Sequence, residues 1–225
     1  TCAGKMGLAE STNTTVAVIT GGHAFDVPAF DALFGNIPGT DCYIQHLEDY
    51  AADVGNVGDQ YDVLLFYTMP LGIPPDDGIQ PRIRSALEQL EETGQGLFIL
   101  HHGILTYQDW PFFSDLVGIS NREIDSAHVN LTLPITVARS DHPITQGMDS
   151  WAMIDESYVM QEPDDTSEIL LTCDHPQSMS AIAWTRTFRK SRVFCFQSGH
   201  NNQTYTNLGF RNILEHGIRW CAGKI

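Results

Sequence analysis

The chain has 225 residues, a length that one α/β domain accommodates. Twelve lysine and arginine residues stand against 28 aspartate and glutamate residues, so the net charge is −16. This acidity argues against nucleic acid and anionic membranes as partners. No apolar run approaches the roughly 18 residues of a membrane span. We therefore expect one domain over residues 14–225, preceded by a small, polar and flexible terminus over residues 1–13.

The five cysteines are an odd number without a CxxC spacing, and most of them lie in apolar runs. A thiol in such a run packs as a small hydrophobic group. This pattern indicates a reducing compartment, so we expect the protein in the cytoplasm. The sequence leaves the oligomeric state open, and a homo-oligomer fits it as well as a monomer does.

The first half of the sequence alternates strand and helix patterns. Apolar runs predict strands over residues 15–20, 41–47, 61–68 and 96–100, and helical spacing predicts helices over residues 26–34 and 81–93. Such alternation with short connections is typical of a parallel sheet with helices on both faces. Ligands of these sheets bind beyond the carboxyl ends of the strands.

The second half changes character, because its strand patterns follow one another without helices between them. We expect strands over residues 127–138, 153–160 and 168–172, a hairpin over 180–197, and a final helix over 207–221. The overall expectation is a mostly parallel sheet with an antiparallel excursion.

Five of the nine histidines fall where a strand is expected to end or a loop to begin. They are His23, His101, His102, His128 and His200. A lone histidine is more often structural than catalytic, but strand ends of one parallel sheet converge in space. Imidazole serves either as a metal ligand or as a general acid and base near neutral pH. The pattern favours a polar site at this edge of the sheet.

The segment Leu97-Phe-Ile-Leu-His101-His-Gly-Ile resembles the nucleophile elbow of class I glutamine amidotransferases, which have a flavodoxin-like fold. His101 occupies the cysteine position of their Gly-x-Cys-x-Gly motif, Gly103 is kept, and Ile99 replaces the first glycine. His200 corresponds to their catalytic histidine, while Asn202 stands where they have glutamate. Without the thiol, acyl transfer from glutamine is excluded.

Five segments in order resemble the ThuA-like (trehalose utilisation) family. They are Gly21-Gly22-His23, Leu100-His101-His102-Gly103, Asp141-His142-Pro143-Ile144, Asp155-Glu156-Ser157-Tyr158 and Ser198-Gly199-His200. The resemblance implies a class I glutamine amidotransferase-like fold and a role in bacterial metabolism of trehalose, a related disaccharide or a ketoglycoside. It also implies a divalent metal, and the imidazole groups indicate zinc or a similar ion. We expect no nucleotide cofactor.

On this basis we assign roles to the residues of the expected site. Catalysis is assigned to His101, His102, Glu156 and His200, and metal binding to His101, His128 and His200. Contacts with a small-molecule sugar are assigned to Gly22, His23, Gly103, Tyr107, Trp110 and Tyr158. Glu156 is preferred to Asp155 because neighbouring residues of a strand point to opposite faces. Asp155 would then bind a loop backbone or orient a histidine.

Two other functions remain open at the level of the sequence. The first is a sugar-binding or regulatory module without catalysis, in which the same cleft only recognises a ligand. The second is a hydrolase that uses one of the cysteines as its nucleophile.

Overall fold

A computed structural model describes residues 13–76 and 80–225 of the chain. The predicted flexible terminus, apart from Asn13, lies outside the described residues. The strands are β1 (Thr14–Gly21), β2 (Thr40–His46), β3 (Val63–Thr68), β4 (Gly96–Leu100), β5 (Ile124–Val137), β6 (Trp151–Met160), β7 (Glu168–Cys173), β8 (Ala181–Phe188) and β9 (Ser191–Phe196). The α-helices are α1 (Val27–Phe34), α2 (Leu47–Ala52), α3 (Gln80–Glu88), α4 (Leu90–Thr93), α5 (Pro111–Val117), α6 (Asn202–Tyr205) and α7 (Leu208–Cys221).

The described strands form one sheet in the order β2-β1-β3-β4-β9-β8-β7-β5-β6. The pairs among β2, β1, β3, β4 and β9 are parallel, and the pairs among β9, β8, β7, β5 and β6 are antiparallel. The expectation of a mostly parallel sheet was therefore wrong, because the sheet is mixed. A parallel connection needs a crossover of a dozen or more residues, and the short loops of the second half cannot provide one.

The parallel strands are buried on both faces, as their continuous apolar character predicts. Every residue of β3 and β4 is buried. One core cluster contains apolar residues of α1, α6 and α7, and the other contains residues of α2, α3, α4 and α5. Helices cover both faces of the sheet, which confirms that part of the predicted fold.

Polar side chains set the starts of several helices. The Asp26 carboxylate accepts a hydrogen bond from the backbone N–H of Ala29 and caps α1, and the Asn207 side chain caps α7 in the same way. Both helices begin where the sequence predicts. Helix α2 was not predicted; it is short, and His46 at the end of β2 caps it by accepting from the backbone N–H of Glu48.

The pairing of β4 with β9 positions the site. These strands are parallel neighbours, and Leu100 lies opposite Phe196 near their carboxyl ends. The segments that follow, which begin at His101 and Gln197, therefore start side by side at the same edge of the sheet.

A buried arginine holds the segment that follows His101. The Arg122 guanidinium donates hydrogen bonds to the backbone carbonyls of residues 104, 106, 107 and 110 and to the hydroxyl of Ser114. Burial lowers the pKa of Arg122 to about 10, so the group remains charged near neutral pH. The segment is thereby folded inward against the core.

Among the described residues, no helix combines the length and the apolar character that crossing a membrane requires.

We expect Arg122→Met to lower the free energy of unfolding by at least about 2 kcal/mol, because buried carbonyls left without a donor cost about 1–3 kcal/mol each. Urea unfolding measures the change. Arg189→Met is the matched control, because Arg189 forms exposed ion pairs with Glu91 and Asp115. Such pairs are worth less than about 1 kcal/mol. Equal losses in the two variants would contradict the bracing role of Arg122.

Candidate functional site

His101 lies on a sharp turn directly after β4. Its φ is +52°, in the left-handed region, and it begins a short 3₁₀-helix, His101–Leu105. The sequence predicted this elbow. The His101 Nδ1 atom lies 2.8 Å from the backbone carbonyl of Gln197. Because a carbonyl only accepts, Nδ1 donates its proton there, and in the neutral ring Nε2 keeps a free lone pair.

Three side chains converge at this edge of the sheet. The Oε2 atom of Glu156, on β6, lies 3.2 Å from His101 Nε2 and 3.0 Å from His200 Nδ1. One ligand atom from each of these residues lies within 4.8 Å of the others, so the three residues could hold a metal ion. We call this group the His–Glu–His triad.

The members of the triad shift one another's proton affinity. Burial alone would raise the pKa of Glu156, but the two imidazoles outweigh it and hold this pKa well below its ordinary value. The nearby Glu156 carboxylate in turn raises the pKa of His200, against the opposing effect of burial. Without an ion, the arrangement therefore favours a charged Glu156 paired with a protonated His200.

The buried Nδ1 atom of His200 has no aligned hydrogen bond among the described residues, although Glu156 Oε2 is only 3.0 Å away. The short distance accounts for the charge attraction, but the ring N–H does not point along the contact. A buried polar atom without an aligned partner in a cluster of ligand atoms is a feature expected of an ion-binding site.

Tyr158 contributes a hydroxyl group to the triad and not a ring face. Its hydroxyl lies 3.2 Å from both Glu156 Oε2 and His101 Nε2. Burial raises the pKa of Tyr158 well above its ordinary value, so the hydroxyl stays protonated and donates to one of these acceptors. The ring is buried and lies parallel to that of His101. Tyr158 was assigned a contact with a sugar, and its buried ring leaves no exposed face for stacking.

His102 lies behind the triad. Its side chain packs against Tyr67 and His23, with ring centroids 4.1 and 4.6 Å apart, and neither ring nitrogen has an aligned hydrogen bond among the described residues. Burial, with smaller contributions from His101 and His23, lowers the pKa of His102 to about 2. His102 is therefore neutral at physiological pH. His23 is exposed beside it and is not among the described residues that could share an ion with the triad.

The remaining residues assigned from the sequence do not face the triad. His128 hydrogen-bonds Ser126 and Gln177 through its two ring nitrogens and lies outside the group that could share an ion. Tyr107 and Trp110 are buried in the core, and Arg122 binds their backbone carbonyls. These rings are not available to a sugar, which corrects that assignment.

The two glycines expected at the substrate have packing roles. A Cβ atom on Gly22 would lie 2.5 Å from the carbonyl carbon of Met69, and one on Gly103 would lie 2.4 Å from the carbonyl oxygen of Phe66. Both positions require glycine because another backbone segment passes close by. No contact with a ligand is needed to explain either residue.

Two contacts that organise the site were not predicted. Gln197 supplies the carbonyl that fixes His101, and the Thr204 hydroxyl binds Asp155 at 2.7 Å. The Gln197 contact is made by a backbone carbonyl, so no side-chain pattern in the sequence signals it. Asp155 binds the backbone of the loop that carries His200, which is one of the two roles that the sequence left open for it.

None of the four described cysteines is suited to act as a nucleophile. Burial raises the thiol pKa of Cys42, Cys173, Cys195 and Cys221 above its ordinary value. A high pKa leaves little reactive thiolate near neutral pH. Among the described residues, the cysteine hydrolase has no support.

The triad is largely enclosed. The side chain of His101 is 1% exposed, that of Glu156 12% and that of His200 25%. Five cavities on the described surface are lined by other residues, and the one that includes Ile154 and Gln203 lies next to Glu156 and His200 along the chain. A ligand would reach the triad from the His200 side.

Comparison with known proteins gives a family and a fold. The model of the family described as "ThuA: Trehalose utilisation" matches residues 41–221. No curated protein matches the chain. A ThuA-like protein from Parabacteroides merdae is similar in structure, with a TM-score of 0.75 and 17% identity over 95% of this chain and 91% of that one.

Two further solved structures share the fold at lower similarity. A cytoplasmic protein from Salmonella typhimurium has a TM-score of 0.63 and 12% identity over 92% of this chain and 98% of that one. A β-galactosidase from Bacillus circulans has a TM-score of 0.60 and 14% identity over 93% of this chain but only 31% of that one. At these identities the likeness establishes the fold alone.

We expect the stability of the metal-free protein to depend on pH through the triad. Because the pKa of His200 is raised in the folded protein, its contribution to the free energy of unfolding is complete below the ordinary pKa of 6.5. That contribution is lost as the pH rises through the pKa of the folded protein. The lowered pKa of Glu156 makes its contribution complete above the ordinary value of 4.5. His200→Gln should therefore lower the free energy of unfolding more at about pH 5.5 than at about pH 8.5.

Urea unfolding in the presence of a chelator measures this difference at both pH values. His175→Gln is the control, because His175 forms no ion pair among the described residues. A loss for His200→Gln that is the same at both pH values would show that the pair with Glu156 does not stabilise the fold.

Proposed function

We propose that this chain, which belongs to the ThuA (trehalose utilisation) family, is a metal-dependent enzyme that acts on a sugar. The single observation that carries the proposal is the His–Glu–His triad, whose ligand atoms lie within 4.8 Å of one another at the strand ends. The reaction belongs to the metabolism of trehalose, a related disaccharide or a ketoglycoside.

The residues of the triad fit a divalent metal such as zinc. Two imidazoles and one carboxylate are a donor set that zinc accepts in catalytic sites, where a further position stays open. The His101 Nδ1–H group donates a hydrogen bond to the Gln197 carbonyl. This bond orients the ring and leaves Nε2 as the ligand atom. The His200 Nδ1 atom, which has no aligned hydrogen bond among the described residues, is the second imidazole ligand atom.

A metal ion bound at the triad would polarise a sugar carbonyl or lower the pKa of a water molecule to about 7. The chain's own residues prepare the site for this chemistry. Glu156 stays deprotonated because the imidazoles lower its pKa, and the protonated Tyr158 hydroxyl can donate to Oε2. The His101 side chain is almost fully buried, which limits the access of water to that part of the site.

A sugar is supported as substrate by the family and by the side chains next to His200. Asn201, Asn202 and Gln203 follow His200, and Gln203 is joined to Asn130 by a hydrogen bond of 3.2 Å. Neutral amides both donate and accept hydrogen bonds, as sugar hydroxyls require. A nucleotide cofactor is not part of the proposal.

We also propose that the protein works in the cytoplasm on a small molecule and without nucleic acid or membrane partners. The net charge of −16 and the free cysteines of the described residues support this view. A homo-oligomer is compatible with it.

The test is elemental analysis of the purified protein after incubation with zinc, followed by turnover assays on glycosides and ketoglycosides with and without chelator. We expect about one ion per chain, bound at the triad, and turnover that chelator abolishes. His200→Ala should lose the ion and the turnover while its melting temperature in chelator at about pH 8.5 changes little. His128→Ala is the matched control and should keep both.

Turnover by metal-free protein would overturn the metal requirement and favour acid and base catalysis by the histidines. Sugar binding without turnover on any glycoside would make the chain a recognition module, the alternative that the sequence left open. Unchanged metal content in His200→Ala would refute the assignment of the site.

A further inference from the structure

Asp155 is a buried carboxylate that accepts four hydrogen bonds. Its Oδ1 atom accepts from the backbone N–H of Glu156 at 2.9 Å, from the backbone N–H of His200 at 3.0 Å and from the Thr204 hydroxyl at 2.7 Å. Its Oδ2 atom accepts from the backbone N–H of Gly199 at 2.8 Å. The residue is 1% exposed. Among the described residues, it forms no ion pair with lysine or arginine.

One oxygen atom thus holds the backbone of two of the three triad residues. Glu156 lies on β6, and His200 follows β9, which is separated from β6 in the sheet by β8, β7 and β5. No strand ladder joins these two segments directly. The Gln197 side chain joins them through longer hydrogen bonds, of 3.3 Å from Ser157 and 3.4 Å to the Glu156 carbonyl. The Asp155 carboxylate supplies the shorter link, because it binds the amides of Glu156 and His200 at the same point.

The third member of the triad is tied to the same segment. His101 donates to the carbonyl of Gln197, and only Ser198 separates Gln197 from Gly199. The loop that Asp155 binds therefore also carries the group that orients the His101 ring. The ligand atoms of His101 and His200 therefore both depend on the position of this loop.

We infer that Asp155 is a positioning residue that sets the separation of the Glu156 and His200 ligand atoms. This inference rests on the proposed metal site and adds the residue that preorganises it. A displacement of about 1 Å in such a support is enough to impair a site. Groups that orient metal ligands typically change metal affinity by about 10- to 100-fold when they are replaced.

Asp155→Asn isolates this role because it preserves size and removes one acceptor. If the remaining carbonyl oxygen keeps the three donors of Oδ1, the new amide nitrogen faces the N–H of Gly199. Two donors then oppose each other, and the loop must move. Glu156, His200 and His101 keep their own side chains, so metal binding changes through their placement and through the loss of one nearby negative charge. Faster amide exchange at Gly199 and His200 identifies the change in placement, whereas weaker binding with unchanged exchange would assign the loss to charge and contradict the positioning role.

The matched control is Asp53→Asn. The Asp53 Oδ1 atom accepts hydrogen bonds from the backbone N–H groups of Val57 and Gly58, at 2.9 and 2.8 Å, in a loop outside the triad. The two variants make the same chemical change at carboxylates that both bind consecutive loop residues. A purely structural role would make them alike in metal affinity.

The experiment measures Zn²⁺ affinity by competition with a chromophoric chelator and amide hydrogen exchange at Gly199 and His200. We expect Asp155→Asn to weaken Zn²⁺ binding at least about tenfold and to speed exchange at both amides. Asp53→Asn should keep the affinity within about twofold of wild type and leave these amides unchanged. Thermal unfolding of the metal-free proteins is recorded so that a general loss of stability is recognised.

Wild-type Zn²⁺ affinity in Asp155→Asn together with unchanged exchange would overturn the inference and leave the proposed function intact. A wild-type protein that binds no Zn²⁺ would overturn the metal site, while faster exchange at Gly199 and His200 in Asp155→Asn would still support the positioning role. If Asp155→Asn does not fold, Thr204→Val replaces it, because it removes one donor to Oδ1. That variant should weaken Zn²⁺ binding about threefold or more, and unchanged affinity and exchange would overturn the inference.

Discussion

The parallel pairing of β4 with β9 is the constraint on which the site depends. It brings the segment that begins at His101 next to the segment that begins at Gln197, and the hydrogen bond between the His101 ring and the Gln197 carbonyl joins them at once. The left-handed turn at His101 then directs the chain away from the sheet and its imidazole toward the site. Without this pairing, the histidines of the two halves would have no common edge.

The part of the site that comes from the parallel strands could be predicted from the sequence. Uninterrupted apolar runs identify buried strands, and histidines that follow such runs are expected near the carboxyl ends of the strands, so the sequence favoured His101 and His200 as neighbours without giving the strand order that joins them. The rest could not be predicted, because β6 is separated from β9 in the sheet by β8, β7 and β5, and no local pattern indicates that its residues reach this site. The alternation rule favoured Glu156 over Asp155 for the site but gave no sign that both carboxylates would contact His200.

The environments of the misassigned residues depend on partners that are distant in the sequence. Tyr107 and Trp110 have the side chains that a sugar site uses, but Arg122 binds their carbonyls and turns the segment into the core. His128 follows a strand pattern, yet the strand register shifts between His128 and Leu131, the side chain binds Ser126 and Gln177, and His128 is not in the group that could share an ion. A local sequence pattern shows which side chains have the right chemical groups for a site. It does not show their surroundings, because the partners that determine them can be many residues away.

The order of the strands also has a consequence for the nascent chain. β4 comprises residues 96–100, but its neighbour β9 comprises residues 191–196 and leaves the ribosome much later. During that interval the N-terminal half can fold only with a fully apolar strand at its open edge, and such an edge pairs readily with other chains. The edge of β4 is therefore open to pairing with other chains until β9 has been synthesised and has paired with it.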